Sequence, residues 1–126
     1  MSKGNILIVD DSPNHSNLLK AMVEEEYNVQ IVNSGQACLD SVAKLKPDVV
    51  LLDVQMPEMS GYEVCNHLRE KEETKTLPVI FVSSMLSSED RDIGFDVGAN
   101  EYINKPVIQK ELLNKIAYQL SIIRMG

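Results

Sequence analysis

The chain has 126 residues, of which 44% are hydrophobic and 25% are charged, a composition typical of one folded domain. Its formal net charge is −7 and it has no basic run, which argues against direct nucleic-acid binding, because phosphate contacts need clustered Lys and Arg. The apolar runs are far shorter than the ~20 residues that span a bilayer, and the amino terminus has no signal-peptide layout. We therefore expect a single acidic, cytoplasmic domain over residues 1–126 that binds neither nucleic acid nor membrane.

Short apolar runs alternate with amphipathic segments along the chain. The runs 6–9, 29–32, 49–52 and 79–82 are typical of strands, and most of them are continuously apolar, as strands buried on both faces are. Residues 101–104 predict a short fifth strand. All five prolines fall between predicted elements, which supports this division of the chain.

A helix is predicted after each strand. Ser12 and Ser34 are typical caps for the first two helices, and Gly98 is a typical left-handed end for the fourth. Apolar residues at helical spacing are expected to face the sheet, namely Leu18, Leu19, Met22 and Val23; then Cys38, Val42 and Leu45; then Val64, Cys65 and Leu68; and finally Ile108, Leu112, Leu113, Ile116, Ala117, Leu120 and Ile123. Five βα units predict an α/β fold, a doubly wound parallel sheet with helices on both faces.

Polar residues collect where the predicted strands end. Asp10 and Asp11 follow the first strand, Asp53 the third, Ser83 the fourth and Lys105 the fifth. In an open α/β sheet these ends meet at one edge, where ligands bind. Three carboxylates packed closely would repel one another by up to ~4 kcal/mol per pair at an effective dielectric constant near 20. A hard divalent cation would relieve that repulsion, and carboxylates together with a phosphoryl oxygen suit Mg²⁺. The sequence therefore predicts a phosphoryl group on Asp53 beside a Mg²⁺ site.

Four stretches together identify a family resemblance. They are ILIVDDS (6–12), VVLLDVQMPEMSGYE (49–63), PVIFVSS (78–84) and GANEYINKP (98–106). In this order and at these separations they resemble the receiver domain of bacterial two-component response regulators, of the single-domain chemotaxis or phosphorelay type. The resemblance implies a flavodoxin-like (βα)5 fold with strand order 2-1-3-4-5.

The same resemblance implies roles for the acidic residues. Asp53 matches the phosphoacceptor, which takes its phosphoryl group from a sensor histidine kinase or a histidine phosphotransfer protein. Asp10 and Asp11 match the acidic pair, with Asp11 and Asp53 as direct Mg²⁺ ligands. The backbone carbonyl of Gln55 matches a further protein ligand of the metal.

The remaining motif residues match the family's catalytic and switch positions. Lys105 and Ser83 correspond to the catalytic lysine and the switch hydroxyl, and Tyr102 to the aromatic switch residue. A cis peptide bond is implied before Pro106. The response is then expected to change the surface of helix four, strand five and helix five, which would control a downstream partner protein or a fused output domain.

Three features depart from the family pattern or tune it. Gly94 stands where alanine is usual, and it should loosen the fourth helix. Gln55 and Met85 occupy variable positions that influence self-dephosphorylation, and because Met85 cannot orient a water molecule we expect slow hydrolysis. His15 and His67 are expected to be solvated helix residues rather than ligands.

Other functions are weighed against this interpretation. A Mg²⁺-dependent phosphatase with an aspartyl nucleophile needs a second carboxylate two residues on, where this chain has Gln55. A flavodoxin-type electron carrier needs a hydroxyl- and glycine-rich phosphate loop after the first strand. A further interpretation is that the chain is the receiver domain of a longer regulator, whose output domain binds DNA or acts as a diguanylate cyclase or phosphodiesterase.

The last helix carries a second apolar line. Tyr118, Ile122 and Met125 fall on an arc away from the face predicted for the sheet. This line is interpreted either as a surface for a partner or a phosphorylation-dependent homodimer, or as the start of a helical linker to a further domain.

Overall fold

A computed structural model describes residues 3–85 and 87–125, and it contains five strands and five helices that alternate along the chain. The strands are β1 Asn5–Val9, β2 Asn28–Val32, β3 Val49–Asp53, β4 Val79–Ser83 and β5 Glu101–Asn104. The helices are α1 Pro13–Val23, α2 Gly35–Lys44, α3 Gly61–Glu70, α4 Ser88–Asp96 and α5 Gln109–Met125. The strands form one parallel sheet in the order β2-β1-β3-β4-β5, which confirms the predicted fold.

The sheet separates two hydrophobic cores. On one face the side chains of β1, β3 and β4 pack against α2 and α3, with Phe81 and Tyr102 in the same cluster. On the other face the alternate residues of these strands and β5 pack against α1 and α5. Strands β3 and β4 are buried along their whole length, as their continuous apolar runs predict.

Serine side chains begin four of the helices. Ser12, Ser34, Ser60 and Ser87 each accept a hydrogen bond from a backbone N–H in the first turn of α1, α2, α3 and α4. At the start of α3 the Glu63 side chain also accepts from the Ser60 N–H, which completes a capping box. Because these caps follow the strand ends, the helices begin at the edge of the sheet where the polar residues lie.

Parts of the predicted apolar faces were wrong. Leu18 is 50% exposed and Leu45 is 75% exposed, while Ile108 precedes α5 and is also exposed. Leu18 cannot share the face of Leu19, because adjacent helical residues point 100° apart. Leu45 lies beyond α2 in extended backbone, so the helical spacing no longer applies to it. Ala117 is also exposed, whereas Leu112, Ile116 and Leu120 are buried as predicted.

Two local predictions were confirmed. Gly98 follows α4 with φ of 106°, a backbone conformation that glycine adopts without strain, and the peptide bond between Lys105 and Pro106 is cis. The side chains of Ile123 and Met125 lie outside the described part of the chain. Among the described residues, no helix combines the length and the apolar character that a membrane span requires.

Candidate phosphoacceptor and metal site

Three carboxylates meet at the carboxyl edge of the sheet. Val9 pairs with Leu52 across β1 and β3, so Asp10 and Asp53 extend from neighbouring strands at the same level. One carboxylate oxygen from each of Asp10, Asp11 and Asp53 lies within 4.8 Å of the others. Asp10 and Asp53 are buried and Asp11 is exposed, so the cluster opens to solvent on one side.

Both oxygens of Asp10 have partners. The Ser12 N–H donates to Oδ1 at 2.9 Å, and Nδ1 of His15 forms a hydrogen bond with Oδ2. The expectation that His15 is simply solvated was therefore wrong. The signal in the sequence is its spacing, since His15 lies in the first turn of a helix capped by Ser12, directly above the end of β1. His67 is exposed on α3, as expected.

The backbone around Asp53 is fixed by a close approach of α3. The Gly61 N–H donates to the Val54 carbonyl at 2.8 Å. A Cβ atom at position 61 would overlap the Asp53 carbonyl oxygen and lie 2.9 Å from the Val54 Cα. Glycine at this position is therefore required by space. In the same loop Glu58 adopts φ of 68°, a left-handed conformation that is uncommon for a residue with a side chain.

Oδ1 of Asp53 is held from two directions. The Gln55 N–H donates to it at 3.3 Å, and the Lys105 Nζ lies 3.6 Å away. Burial raises the pKa of Asp53, and the neighbouring charges of Asp10 and Asp11 raise it further, while Lys105 and the Gln55 N–H act in the opposite direction. The net effect is a raised pKa, so the ionised form of Asp53 is costly in the folded protein.

Ser83 and Tyr102 are joined through one backbone residue. Ser83 is buried at the end of β4, and its Oγ accepts from the Met85 N–H at 3.0 Å. The Tyr102 hydroxyl donates to the Met85 carbonyl at 3.0 Å, and its ring is 3% exposed. The Arg91 guanidinium lies 5.4 Å from the centre of that ring, so α4 covers the tyrosine.

The structure thus brings together most of the predicted site residues. Asp10, Asp11, Asp53 and Lys105 lie together at the carboxyl edge of the sheet. Ser83 belongs to the same edge, because β4 pairs with both β3 and β5. Gln55 contributes its N–H to Asp53, and a metal-binding role for its carbonyl stays a prediction.

A groove elsewhere on the molecule is unrelated to this chemistry. It has a volume of about 410 Å³ and lies between the carboxyl-terminal ends of α2 and α3, with Leu39, Val42 and Leu68 in its lining. Lys46 also lines this groove, and its ammonium group donates a hydrogen bond to the Glu73 carbonyl at 3.3 Å. The carboxylates lie at the opposite end of the sheet.

Comparison with known proteins gives the family. The sequence-family model of the response regulator receiver domain matches residues 6–117. The chain belongs to this family. Receiver domains of this kind are phosphorylation switches of two-component signalling, and aspartate phosphorylation with Mg²⁺ is a standard feature of the family.

Individual relatives support the assignment. The chain is 41% identical over 107 residues to a probable cyclic di-GMP phosphodiesterase of Vibrio cholerae serotype O1, covering 85% of this chain and 24% of that protein. It is 42% identical over 117 residues to the transcriptional regulatory protein YkoG of Bacillus subtilis, covering 92% of this chain and 50% of that protein. The chain therefore spans half the length of these curated relatives or less.

A solved structure is similar in fold. The receiver domain of the sensor histidine kinase PA1611 from Pseudomonas aeruginosa superimposes with a TM-score of 0.88 at 26% identity, covering 95% of this chain and 99% of that chain. That structure has a magnesium ion coordinated in its active-site cleft.

Proposed function

We propose that Asp53 of this receiver domain accepts a phosphoryl group from the phosphohistidine of a sensor histidine kinase or a histidine phosphotransfer protein. The observation that carries the proposal is the arrangement around Asp53. It is a buried carboxylate with Oδ1 held by Lys105 and Gln55, beside two further carboxylates. Among the described residues none forms a hydrogen bond with Oδ2, which leaves that oxygen for nucleophilic attack.

The donor set fits Mg²⁺. Oxygen ligands from carboxylates are what this ion prefers, and three of them lie within 4.8 Å of one another. We assign Asp11 and Asp53 as direct ligands, with the Gln55 carbonyl as a third and Asp10 completing the acidic pair. When bound, Mg²⁺ would neutralise charge on the phosphoryl oxygens and on the carboxylates.

The residues of the chain then divide the reaction among themselves. An oxygen of Asp53 attacks phosphorus, a P–O bond forms, the P–N bond to the histidine breaks, and that nitrogen keeps the electron pair and takes up a proton. Lys105 is 3.6 Å from Oδ1, close enough for its ammonium group to follow a phosphoryl oxygen as charge moves outward. Ser83 is at the adjacent strand end, where its hydroxyl can donate to another phosphoryl oxygen.

The same Ser83 links the site to the surface. Its Oγ accepts from Met85, whose carbonyl accepts from Tyr102. A hydroxyl drawn towards a phosphoryl group would therefore shift the Met85 segment and the hydrogen bond of Tyr102. The surface of α4, which covers Tyr102, includes the exposed side chains of Ile93 and Phe95. Phosphorylation would change the populations of two arrangements of this surface.

The output of the protein is part of the proposal. Its relatives are longer than this chain, so we propose that the receiver controls either a fused output domain or a separate partner in the cytoplasm. A phosphorylation-dependent homodimer is a further proposed assembly, with Tyr118 and Ile122, both exposed on α5, as its candidate contacts. The acidic receiver itself is not expected to contact nucleic acid, whereas a fused output domain could do so.

Labelling with acetyl phosphate and Mg²⁺ tests the assignment of Asp53. Intact-mass spectrometry should show a single added phosphoryl group on the wild type and none, or a much slower addition, on Asp53→Asn. Asp96→Asn is a matched control, because Asp96 is exposed on α4, and it should label like the wild type. Equal labelling of Asp53→Asn and the wild type would overturn the assignment.

A further inference from the structure

The two histidines of the chain have very different surroundings. His67 is exposed on α3. His15 lies in the first turn of α1, is 18% exposed in its side chain, and forms a hydrogen bond through Nδ1 with the buried Oδ2 of Asp10. A carboxylate can only accept, so this bond places a hydrogen on Nδ1 of His15.

This bond completes the environment of Asp10. The side chain of Asp10 is 1% exposed, and its other oxygen already accepts from the Ser12 N–H at 2.9 Å. A buried carboxylate oxygen without a partner is unfavourable, and Asp10 would gain by turning away from the cluster if Oδ2 lost its donor. With both oxygens held, Asp10 stays within 4.8 Å of Asp11 and Asp53.

The orientation matters because the three carboxylates repel one another. Each pair of like charges at about 4 Å costs up to ~4 kcal/mol at an effective dielectric constant near 20. Hydrogen bonds donated to Asp10 stabilise its carboxylate in this crowded position without removing an oxygen from the cluster. Partners that orient metal-ligating groups typically contribute 10- to 100-fold to metal affinity.

We propose that His15 is a positioning residue for the divalent-cation site, acting through Asp10. It fixes the Asp10 carboxylate towards Asp11 and Asp53 before the cation arrives, and it does not itself ligate the cation. The inference rests on the proposed function, since it assumes that these carboxylates hold Mg²⁺. It adds a residue that the motifs of the family resemblance do not include.

Calorimetric titration of the metal-free protein with MgCl2 at fixed pH and low salt tests this role. We expect His15→Leu to bind Mg²⁺ about tenfold more weakly than the wild type. His15→Asn should recover much of that loss, because the asparagine side-chain NH2 can occupy the region of Nδ1 and donate to Asp10. His67→Leu is the matched control and should bind like the wild type.

Thermal unfolding in chelator-treated buffer accompanies each titration. It verifies that each variant folds, and the rise in Tm on adding Mg²⁺ gives a second measure of affinity. If His15→Leu does not fold, the comparison uses His15→Asn and His15→Ala. A structural role without positioning would lower the metal-free Tm and leave the affinity for Mg²⁺ unchanged.

The outcomes distinguish the positioning role of His15 from the proposed function of the site. Weakened binding by His15→Leu with recovery in His15→Asn supports the positioning role. Equal or tighter Mg²⁺ binding by a folded His15→Leu variant overturns it while leaving the proposed function intact. A wild type that binds no Mg²⁺ but is labelled on Asp53 by a metal-independent route overturns both the metal site and the role of His15.

Discussion

Helices α3 and α4 pack against the same face of the sheet, but the structure holds them differently. Helix α3 has a capping box, four buried residues and a first residue, Gly61, pressed against the Asp53 backbone. At its far end Arg69 donates twice to the Gly98 carbonyl, at 3.0 and 2.8 Å. In α4 the one buried residue is Gly94, and Ile93 and Phe95 are exposed.

This difference matches the division of labour in the site. Helix α3 fixes the backbone at Asp53, the last residue of β3 and the proposed phosphoacceptor. Helix α4 follows the segment that contains Ser83 and Met85, whose movement is proposed to carry the signal to Tyr102. Weakly held elements are the ones from which conformational responses are drawn, because little burial is lost when they shift. Under the proposed function, the chain would combine a firmly held acceptor with a helix that can be displaced.

The largest effect is expected at the rigid end, for Gly61→Ala. The added methyl group would overlap the Asp53 carbonyl and lie 3.0 Å from its carbonyl carbon, so backbone must move. Overpacking of this kind costs about 3 kcal/mol or more. Urea unfolding should show the loss, and labelling of Asp53 should slow in whatever fraction folds.

Gly4→Ala is the control for that substitution. A methyl group there would meet the side chains of Tyr27, Leu120 and Asp48 at 3.4 to 3.6 Å, which is ordinary contact distance. Its free energy of unfolding should stay within about 0.5 kcal/mol of the wild type. A Gly61→Ala protein as stable as Gly4→Ala would show that α3 is not locked against Asp53.

A second effect should come from the charge of Asp53 itself. The pKa of Asp53 in the folded protein is raised above its ordinary value of 3.8, chiefly by burial. The folded state therefore binds the proton more tightly, and the stability that this gives is lost as the pH rises through the folded-state pKa. In metal-free buffer Asp53→Asn should be more stable than the wild type at pH 7.

The pH dependence sharpens this prediction. The advantage of Asp53→Asn should shrink as the pH falls through the folded-state pKa towards 3.8, because the folded wild type then takes up the proton, and below 3.8 the carboxyl is mostly protonated in both states. Thermal unfolding at several pH values measures it, with Asp96→Asn, a substitution at an exposed position of α4, as the control. Lower stability of Asp53→Asn at neutral pH would mean that Lys105 more than compensates the burial of the charge.

Much of the fold was predictable from local signals in the sequence. The continuous apolar runs set the strands, and the serine caps set where helices begin. The polar residues of the site follow strand ends, so parallel topology alone brings Asp10, Asp53 and Lys105 to one edge.

Contacts between elements were not predictable in this way. The bond from His15 to Asp10 depends on how the first turn of α1 lies over β1, which periodicity does not report. The Arg69 guanidinium joins α3 to the Gly98 carbonyl, a contact that helical spacing does not predict either. Leu45 fits the α2 stripe by spacing and leaves it because the helix ends one residue earlier.

The smallest predicted effect is at Gly94, and its sign tests how α4 is held. Glycine in a helix interior costs about 1 kcal/mol relative to alanine, so helix propensity alone predicts that Gly94→Ala stabilises the protein. The added Cβ, however, would lie 3.1 and 3.3 Å from Cδ2 and Cε2 of Tyr102 and 3.3 Å from Cδ2 of Phe81. We expect this crowding to exceed the gain, with a net loss of about 1 kcal/mol.

A double-mutant cycle with Tyr102→Ala separates the two contributions. Without the ring, the two contacts with Tyr102 are removed and the one with Cδ2 of Phe81 remains, so Gly94→Ala should recover most of its helix-propensity gain of about 1 kcal/mol and the sign of its effect should reverse. Urea unfolding of the four proteins measures the coupling. If Gly94→Ala stabilises both backgrounds equally, a Cβ atom at position 94 does not crowd the Tyr102 ring. A reversal of sign would instead show that the glycine makes room for the buried tyrosine, which would support the proposed coupling between α4 and Tyr102.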